Sequence, residues 1–368
     1  VSPALHQFVP SLLPGDATGQ HTLALRDLLR RLGVESEIFV ETPVEETREE
    51  THHFTQYPRA VGGGGVLCYQ AAIWSELADF CYARPEVLLV DYHNLTPATF
   101  WAGWEPAVAT SADLARSQLQ RLADRTTLAL ADSAYNESEL LAWGYGATAV
   151  LPILADLEAF DRPPDPERLA ALEAAKADGG ADWLFVGRIA PNKAQEDLVK
   201  ALFVARKLYD PRARLHLVGR SGSARYTAAL RRLVADLGLD DAVELTGGVS
   251  AAELAAYYRA ADAFVVASKH EGFCVPVLEA FFFGVPVIAR AEAALPETVG
   301  DAGVLLERWS PIAMAAAVEQ VTSSAALARS LVAHGKARLE RFARPVVERL
   351  AVQALSRVLP ELREASLV

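Results

Sequence analysis

Cysteine is scarce: among 368 residues there are three, Cys68, Cys81 and Cys274. Their spacing gives neither a disulfide framework nor a metal knuckle, and a reducing, cytoplasmic setting is expected. No apolar run reaches the roughly 18 residues that a membrane span needs. The start, Val1-Ser2-Pro3-Ala4, does not lead from a basic segment into an apolar one, so no signal peptide is expected. Positive charge is also short. Lys and Arg number 35 against 47 Asp and Glu, a net charge of -12. A nucleic-acid binder needs a basic face to meet phosphate, so that class is set aside. An anionic small molecule in a local basic pocket is not. Asp-x-Asp is missing, no His/Cys cluster has ligand spacing, and the adjacent His52 and His53 read as surface residues; no metal is expected. A Gly-x-Gly-x-x-Gly directly after a strand is missing too. The Gly62 run and Gly219-Arg220-Ser221-Gly222 do not supply it, which weighs against a nicotinamide dehydrogenase.

What is present is apolar and alternating. Hydrophobic residues make up 51% and charged residues 22%, enough for two cores at about 150 residues each. In the first half, strands are expected at Leu5 to Val9, Ser36 to Val40, Val66 to Tyr69, Val87 to Val90 and Leu128 to Ala131. Helices between them include one with Leu25, Leu28, Leu29 and Leu32 on one face. Thr42 to Ala60 reads as loop, and Asn136 with Glu139 reads as a helix cap. Pro163, Pro164, Pro166 and Gly179-Gly180 punctuate a linker. The second half repeats the pattern, with strands at 183–186, 214–218, 243–246, 263–267, 287–289 and 303–306. Apolar strands separated by helices imply parallel sheets covered on both faces.

Two motifs carry chemistry. His270-Glu271-Gly272-Phe273-Cys274-Val275-Pro276-Val277-Leu278-Glu279 follows a strand and opens a helix, where exposed amides make an anion site. Gly272 lets a ligand approach the backbone. Glu279 lies in an otherwise apolar helix, where a carboxylate needs partners. A sugar diol would supply two hydroxyls; a backbone cap or an arginine pair would serve as well. Gly187-Arg188-Ile189-Ala190-Pro191-Asn192-Lys193 also follows a strand. Arg188 and Lys193 there would neutralise a diphosphate leaving group, or else be two solvated loop cations.

These motifs, in this order and at this separation, resemble the retaining family-4 glycosyltransferases of the GT-B fold. Gly248, Tyr257 and Tyr258, Ala131-Asp132-Ser133 with Asn136, and Pro296-Glu297 before Gly303 match as well. The resemblance implies two Rossmann-like doubly wound domains facing a central cleft. An acceptor-side domain would span 1–155, a linker 156–181, a nucleotide-sugar domain 182–340, and a helical tail, packing back on the first domain, 341–368. It implies a nucleotide-sugar donor, a sugar-containing or lipid-linked acceptor, and no metal or other cofactor. Arg188 and Lys193 would bind the diphosphate beside Gly187, Glu279 the ribose, and Glu271 the transferred sugar. Gly272 and the amides of Phe273, Cys274 and Val275 would line the donor. Gly15, in the first strand-to-helix loop, would close over the phosphates, and His93 in Asp91-Tyr92-His93-Asn94 would stand beside the sugar. A strand-end histidine is otherwise often a satisfied polar residue.

The chain departs from the family pattern at three places. Cys274 stands where many members have glycine, Ala293-Ala294 replaces a common glycine, and Pro14-Gly15-Asp16 replaces a glycine pair. Arg26, Arg30 and Arg31, or Arg116, Arg121 and Arg125, would give basic helix faces for peripheral contact with a membrane, or simply solvated faces. Other readings are a nucleotide-sugar epimerase, a phosphorylase or a catalytically silent sugar-nucleotide binder. The intact charged set speaks against the last, and no lysine in a cofactor context supports the phosphorylase.

Overall fold

A computed structural model describes residues 3–13, 15–62, 64–157, 160 and 163–362. Pro14 of the first loop, Gly63, part of the expected linker and the last residues of the tail lie outside them. The chain divides into two compact units. Unit 1 comprises Val1–Thr99, Ala107–Ala155 and Phe342–Val368, and unit 2 comprises Phe100–Pro106 and Asp156–Arg341.

Unit 1 is built on seven parallel strands: β1 (Leu5–Val9), β2 (Ile38–Val40), β3 (His52–His53), β4 (Val66–Ala71), β5 (Val87–Tyr92), β6 (Leu128–Ala131) and β7 (Thr148–Val150). Their order is β3-β2-β1-β4-β5-β6-β7, so the winding reverses between β1 and β4. Register places Gln7 beside Cys68, Gln70 beside Asp91 and Asp91 beside Leu130. Side chains alternate along a strand. One sheet face therefore carries Leu5, Cys68, Leu89 and Leu130, with Gln7 on the rung of Cys68 and Leu89 and with Gln70 and Asp91 one rung nearer the carboxyl edge. The helix Ala17–Arg31 covers this face with Leu25, Leu28 and Leu29. The helix Arg344–Leu355 joins the same core through Val347, Ala351 and Leu355. Arg31 pairs with Glu348 at 2.6 Å.

Unit 2 is built on six parallel strands: β8 (Asp182–Val186), β9 (Arg214–Val218), β10 (Val243–Gly247), β11 (Ala263–Val266), β12 (Val287–Arg290) and β13 (Gly303–Leu306). Their order is β10-β9-β8-β11-β12-β13, and the winding reverses between β8 and β11. The core is aliphatic, with Trp183 and Phe185 buried among Leu198, Leu202, Leu215, Leu217 and Val265.

Several expectations are corrected. Ser133, not Asn136, caps the helix Ala134–Ala142, its hydroxyl accepting from the Asn136 amide. Asn136 lies inside that helix, where its side chain donates to the Tyr92 carbonyl, and Glu139 accepts from the Tyr92 hydroxyl. The segment 42–60 is ordered into 3-10 turns, the short strand β3 and the helix Tyr57–Val61. Tyr57 anchors it, buried edge-on against Phe8 and Phe39.

Part of the first half also belongs to unit 2. Trp104 meets the Tyr226 ring edge-on at 5.3 Å, and Glu105 accepts from the Ser223 hydroxyl at 2.7 Å. Within the segment expected as linker, the helix Pro166–Lys176 is an integral part of unit 2. Lys176 donates to the Ala260 carbonyl and to Asp262 at 2.9 and 2.7 Å. The basic helix faces are spent inside unit 1. Arg26 pairs with Asp27 and Glu50, Arg30 with Glu37, Arg31 with Glu348, Arg116 with Glu139 and Arg121 with Asp79, while Arg125 donates to two carbonyls. Among the described residues no helix is long and apolar enough to cross a membrane.

Candidate active site

In a doubly wound sheet the strands end in loops on one edge, and the loops on either side of the reversal part to leave a crevice. In unit 2 those are the loops after β8 and β11, and they are the two motif loops.

The β8 loop leaves the sheet through Gly187. A Cβ on the neighbouring Gly219 would sit 2.0 Å from the Gly187 carbonyl oxygen, so the turns after β8 and β9 touch backbone to backbone. Arg188 projects exposed from this turn. Asn192 then ties the two motifs together: its side chain donates to the His270 carbonyl at 3.2 Å, and its carbonyl accepts from the Lys269 amide at 2.8 Å. Lys193 Nζ consequently lies 2.6 Å from Glu271 Oε2, the lysine partly buried and the carboxylate buried. A charge-assisted bond of this length holds both side chains in place.

The β11 loop then enters the helix Val275–Phe283. Cys274 is its N-cap, with φ +76° and no side-chain hydrogen bond to the first turn. Gly272, Phe273, Cys274 and Val275 thus lead into a helix start that no side chain caps. Thr298 fixes this loop by donating its hydroxyl to the Phe273 carbonyl at 2.5 Å. The Ala294 amide donates to the Glu271 carbonyl at 3.3 Å, bringing the β12 loop against the same turn. Glu279, one turn into the helix, accepts from the Tyr258 hydroxyl at 2.7 Å. Neither an arginine pair nor a backbone cap is found for it among the described residues. Burial dominates and pushes its carboxyl up to about 7, the tyrosine hydrogen bond only partly offsetting this.

Unit 1 places Gly15 in the loop after β1, on one side of its own reversal. Gly15 is exposed with φ +76°, a left-handed turn that suits glycine. His93 follows β5. Its Nδ1 lies 3.0 and 3.3 Å from the Asp132 oxygens, its Nε2 makes a short contact with Gln70 Oε1, and Asp91 Oδ2 is 4.0 Å from Nε2. The side chain is 2% exposed. Burial alone would lower the imidazole, but Asp132 and then Asp91 outweigh it and push it up to about 9. His93 is thus enclosed in a polar cluster, and both ring nitrogens have protein partners.

His21, Asp91 and His93 bring three ligand-type atoms within 4.8 Å of one another. The proton arrangement opposes a metal. His21 Nδ1 accepts from the Leu154 amide at 3.1 Å, so its proton is on Nε2, directed at Asp91 Oδ2 at 3.0 Å. A metal on that nitrogen would need an imidazolate.

Sequence reasoning missed Gln7, Gln70, His21 and Thr298. The signal for the two glutamines was available: each interrupts a strand that is otherwise largely apolar, Leu5-His6-Gln7-Phe8-Val9 and Val66-Leu67-Cys68-Tyr69-Gln70-Ala71.

Two doubly wound units of this kind make up the GT-B fold, and solved structures agree on it. Sucrose-phosphate synthase from Thermosynechococcus elongatus superposes with a TM-score of 0.76 at 21% identity, over 97% of this chain and 99% of that one. HepE from Anabaena, solved with UDP and glucose, gives 0.77 at 16% identity, over 96% and 100%. Residues 180–324 match the family described as glycosyl transferases group 1. A D-inositol 3-phosphate glycosyltransferase from Geodermatophilus obscurus is 36% identical over 221 residues, 56% of this chain and 47% of the relative. A GDP-mannose-dependent alpha-(1-6)-phosphatidylinositol monomannoside mannosyltransferase from Mycobacterium tuberculosis is 36% identical over 195 residues, 50% of this chain and 49% of the relative. The chain spans about half the length of these curated relatives.

Proposed function

We propose that the protein is a retaining, metal-independent glycosyltransferase of the cytoplasm, moving a hexose from a nucleotide diphosphate sugar to a hydroxyl acceptor. The observation that carries this is the Lys193–Glu271 pair at the winding reversal, 2.6 Å apart, beside the exposed Arg188 and an uncapped helix start. A diphosphate would take Lys193 and Arg188 as counter-charges. Glu271, released from the lysine, would accept hydroxyls of the transferred sugar, and Glu279 would accept the ribose diol. The reading leans to mannose or glucose as the sugar; one relative's name favours mannose, and the two names favour an inositol phosphate or a glycolipid as the acceptor.

Retention follows from front-face attack in this reading. The acceptor oxygen bonds to the anomeric carbon on the side the diphosphate leaves, and the departing phosphate oxygen takes the acceptor proton. Arg188 and Lys193 stabilise the negative charge that develops on the leaving group. Glu271, freed from Lys193 by the diphosphate, serves as a hydroxyl acceptor rather than as a covalent nucleophile.

The test is a thermal-shift panel of UDP, GDP, ADP, dTDP and NAD, without metal and then with magnesium. A ligand at 100 times its dissociation constant adds roughly 2.7 kcal/mol of stability. A metal-independent shift with one nucleoside diphosphate, lost in Glu279→Ala, is expected and would name the base. A shift with NAD alone would overturn the reading. With the donor in hand, an inverted anomer in the product would overturn retention.

A further inference from the structure

Toward the carboxyl edge of the unit 1 sheet a file of side-chain amides, crossing from the rung of Gln7 to that of Gln70, has its direction fixed at one end. The carbonyl oxygen of Thr22, on the helix Ala17–Arg31, has no hydrogen to give. The Gln7 atom that meets it at 2.8 Å is therefore the amide nitrogen. Gln7 accordingly turns its Oε1 toward β4, where it accepts from the Gln70 amide nitrogen at 2.9 Å. The oxygen of Gln70 is then the atom left facing His93 Nε2. An amide oxygen only accepts.

We propose that this relay, Thr22 to Gln7 to Gln70, locks a hydrogen on His93 Nε2, so that the ring is a permanent donor there and never a base. Gln7 and Gln70 are the positioning residues that set this state.

The groups around the ring support the lock from every side. On the loop after β6, Asp132 faces Nδ1. A proton lies between them whether the pair is imidazolium with carboxylate or imidazole with carboxylic acid, and Nε2 keeps its hydrogen in both cases. On β5, Asp91 stands 4.0 Å from Nε2 and favours a proton there. On the helix Ala17–Arg31, the His21 ring packs at 5.3 Å and points its own proton at Asp91, while Asp16 at that helix's N-cap adds further negative charge. Reversing Gln70 alone would set its oxygen against the Gln7 oxygen, two acceptors with no hydrogen between them. Reversing both glutamines would set the Gln7 oxygen against the Thr22 carbonyl. The cost of unpaired buried polar groups closes each alternative.

The inference concerns one proton and stands apart from the transfer reading. Where transfer does occur, it removes His93 Nε2 from the list of acceptors for the incoming hydroxyl's proton, leaving the departing phosphate oxygen.

The experiment is long-range proton–nitrogen correlation NMR on the full chain labelled with nitrogen-15 histidine, with His93→Gln to assign the signal. In the native protein Nε2 is expected to keep the shift of a protonated nitrogen from about pH 6 to about 10, on both sides of the midpoint at about 9, while Nδ1 changes. In Gln70→Met the titration midpoint of His93 should fall by about one pH unit or more, with a smaller fall in Gln7→Met. An unprotonated Nε2 in the native protein, which needs no variant, overturns the proposal. So does a Gln70→Met midpoint equal to the native one. A protein that binds no nucleotide yet shows the protonated Nε2 would lose the transferase reading and keep this one.

Discussion

His93 and Glu279 are both titratable groups at the carboxyl edge of a parallel sheet, and their surroundings differ. Around His93 each ring nitrogen meets an acceptor, Gln70 or Asp132, and the direction of the glutamine chain is dictated by a backbone carbonyl. Around Glu279 one tyrosine hydroxyl is the hydrogen-bond partner found among the described residues, although a carboxylate has room for several. Arg188 is exposed, and Lys193 shares a single carboxylate. A saturated cluster fixes geometry and resists exchange. An unsaturated one holds its charges ready for a ligand that completes them. Unit 1 thus carries the rigid group, and unit 2 the receptive one.

Breaking the receptive side should have the largest effect. Lys193→Met removes a counter-charge to the leaving group, and turnover is expected to fall ~100-fold or more, the scale of losing one oxyanion-type donor. The same change strands the buried Glu271, so the apo protein should also lose about 1–2 kcal/mol in chemical denaturation. If turnover survives, the lysine is a structural partner of Glu271 and no more.

A pH titration sharpens the contrast next. Glu279 is raised to about 7 in the apo protein, above an ordinary carboxyl. The neutral form therefore favours folding, and its contribution is present at low pH and lost as pH rises through about 7. Ribose hydroxyls need the ionised form. Nucleotide affinity should fall roughly tenfold per pH unit below that point, and Glu279→Gln should bind weakly with this dependence removed. Isothermal calorimetry across pH checks both statements.

The smallest effect is expected from backbone strain. Among the described residues four non-glycine residues have left-handed φ: Asn94, Ala194, Cys274 and Ala293. All four lie in loops after strands, after β5, β8, β11 and β12, where strain tends to gather at functional sites. Cys274→Gly and Ala293→Gly should each stabilise by up to about 1 kcal/mol, because a Cβ is costly in this conformation. A lower melting temperature in both would mean that their side-chain packing outweighs the strain.

These residues also show how far the sequence could be read. The strands and most helices were legible because apolar runs of strand length alternate with helical periodicity. Both motif loops were legible because their residue types are unusual after a strand. Cys274 stands where many members of the family have glycine, Ala293 belongs to the Ala293-Ala294 pair that replaces a common glycine, and both take the conformation that glycine would supply. The mismatch was readable, but its backbone consequence was not. The Gln7–Gln70–His93 file was not legible either, because it is assembled by register across β1, β4 and β5 rather than by spacing along the chain. The Ser133 cap was misassigned because Asn136 and Glu139 mimic a capping pair while both serve Tyr92. Phe100–Pro106 was placed with the first half because neighbours in sequence are the usual guide to neighbours in space. Trp104 and Glu105 instead find their partners in unit 2.

The return of Arg344–Leu355 to unit 1 sets an order of events at the ribosome. Unit 2 lies, in translation order, between the sheet of unit 1 and the helix that helps cover it. Leu25, Leu28 and Leu29 emerge early, and Val347, Ala351 and Leu355 join them only after unit 2 has been synthesised. At the 5–20 residues per second typical of synthesis, the nascent first unit waits tens of seconds with part of its core open. Unit 2 can close its own core first.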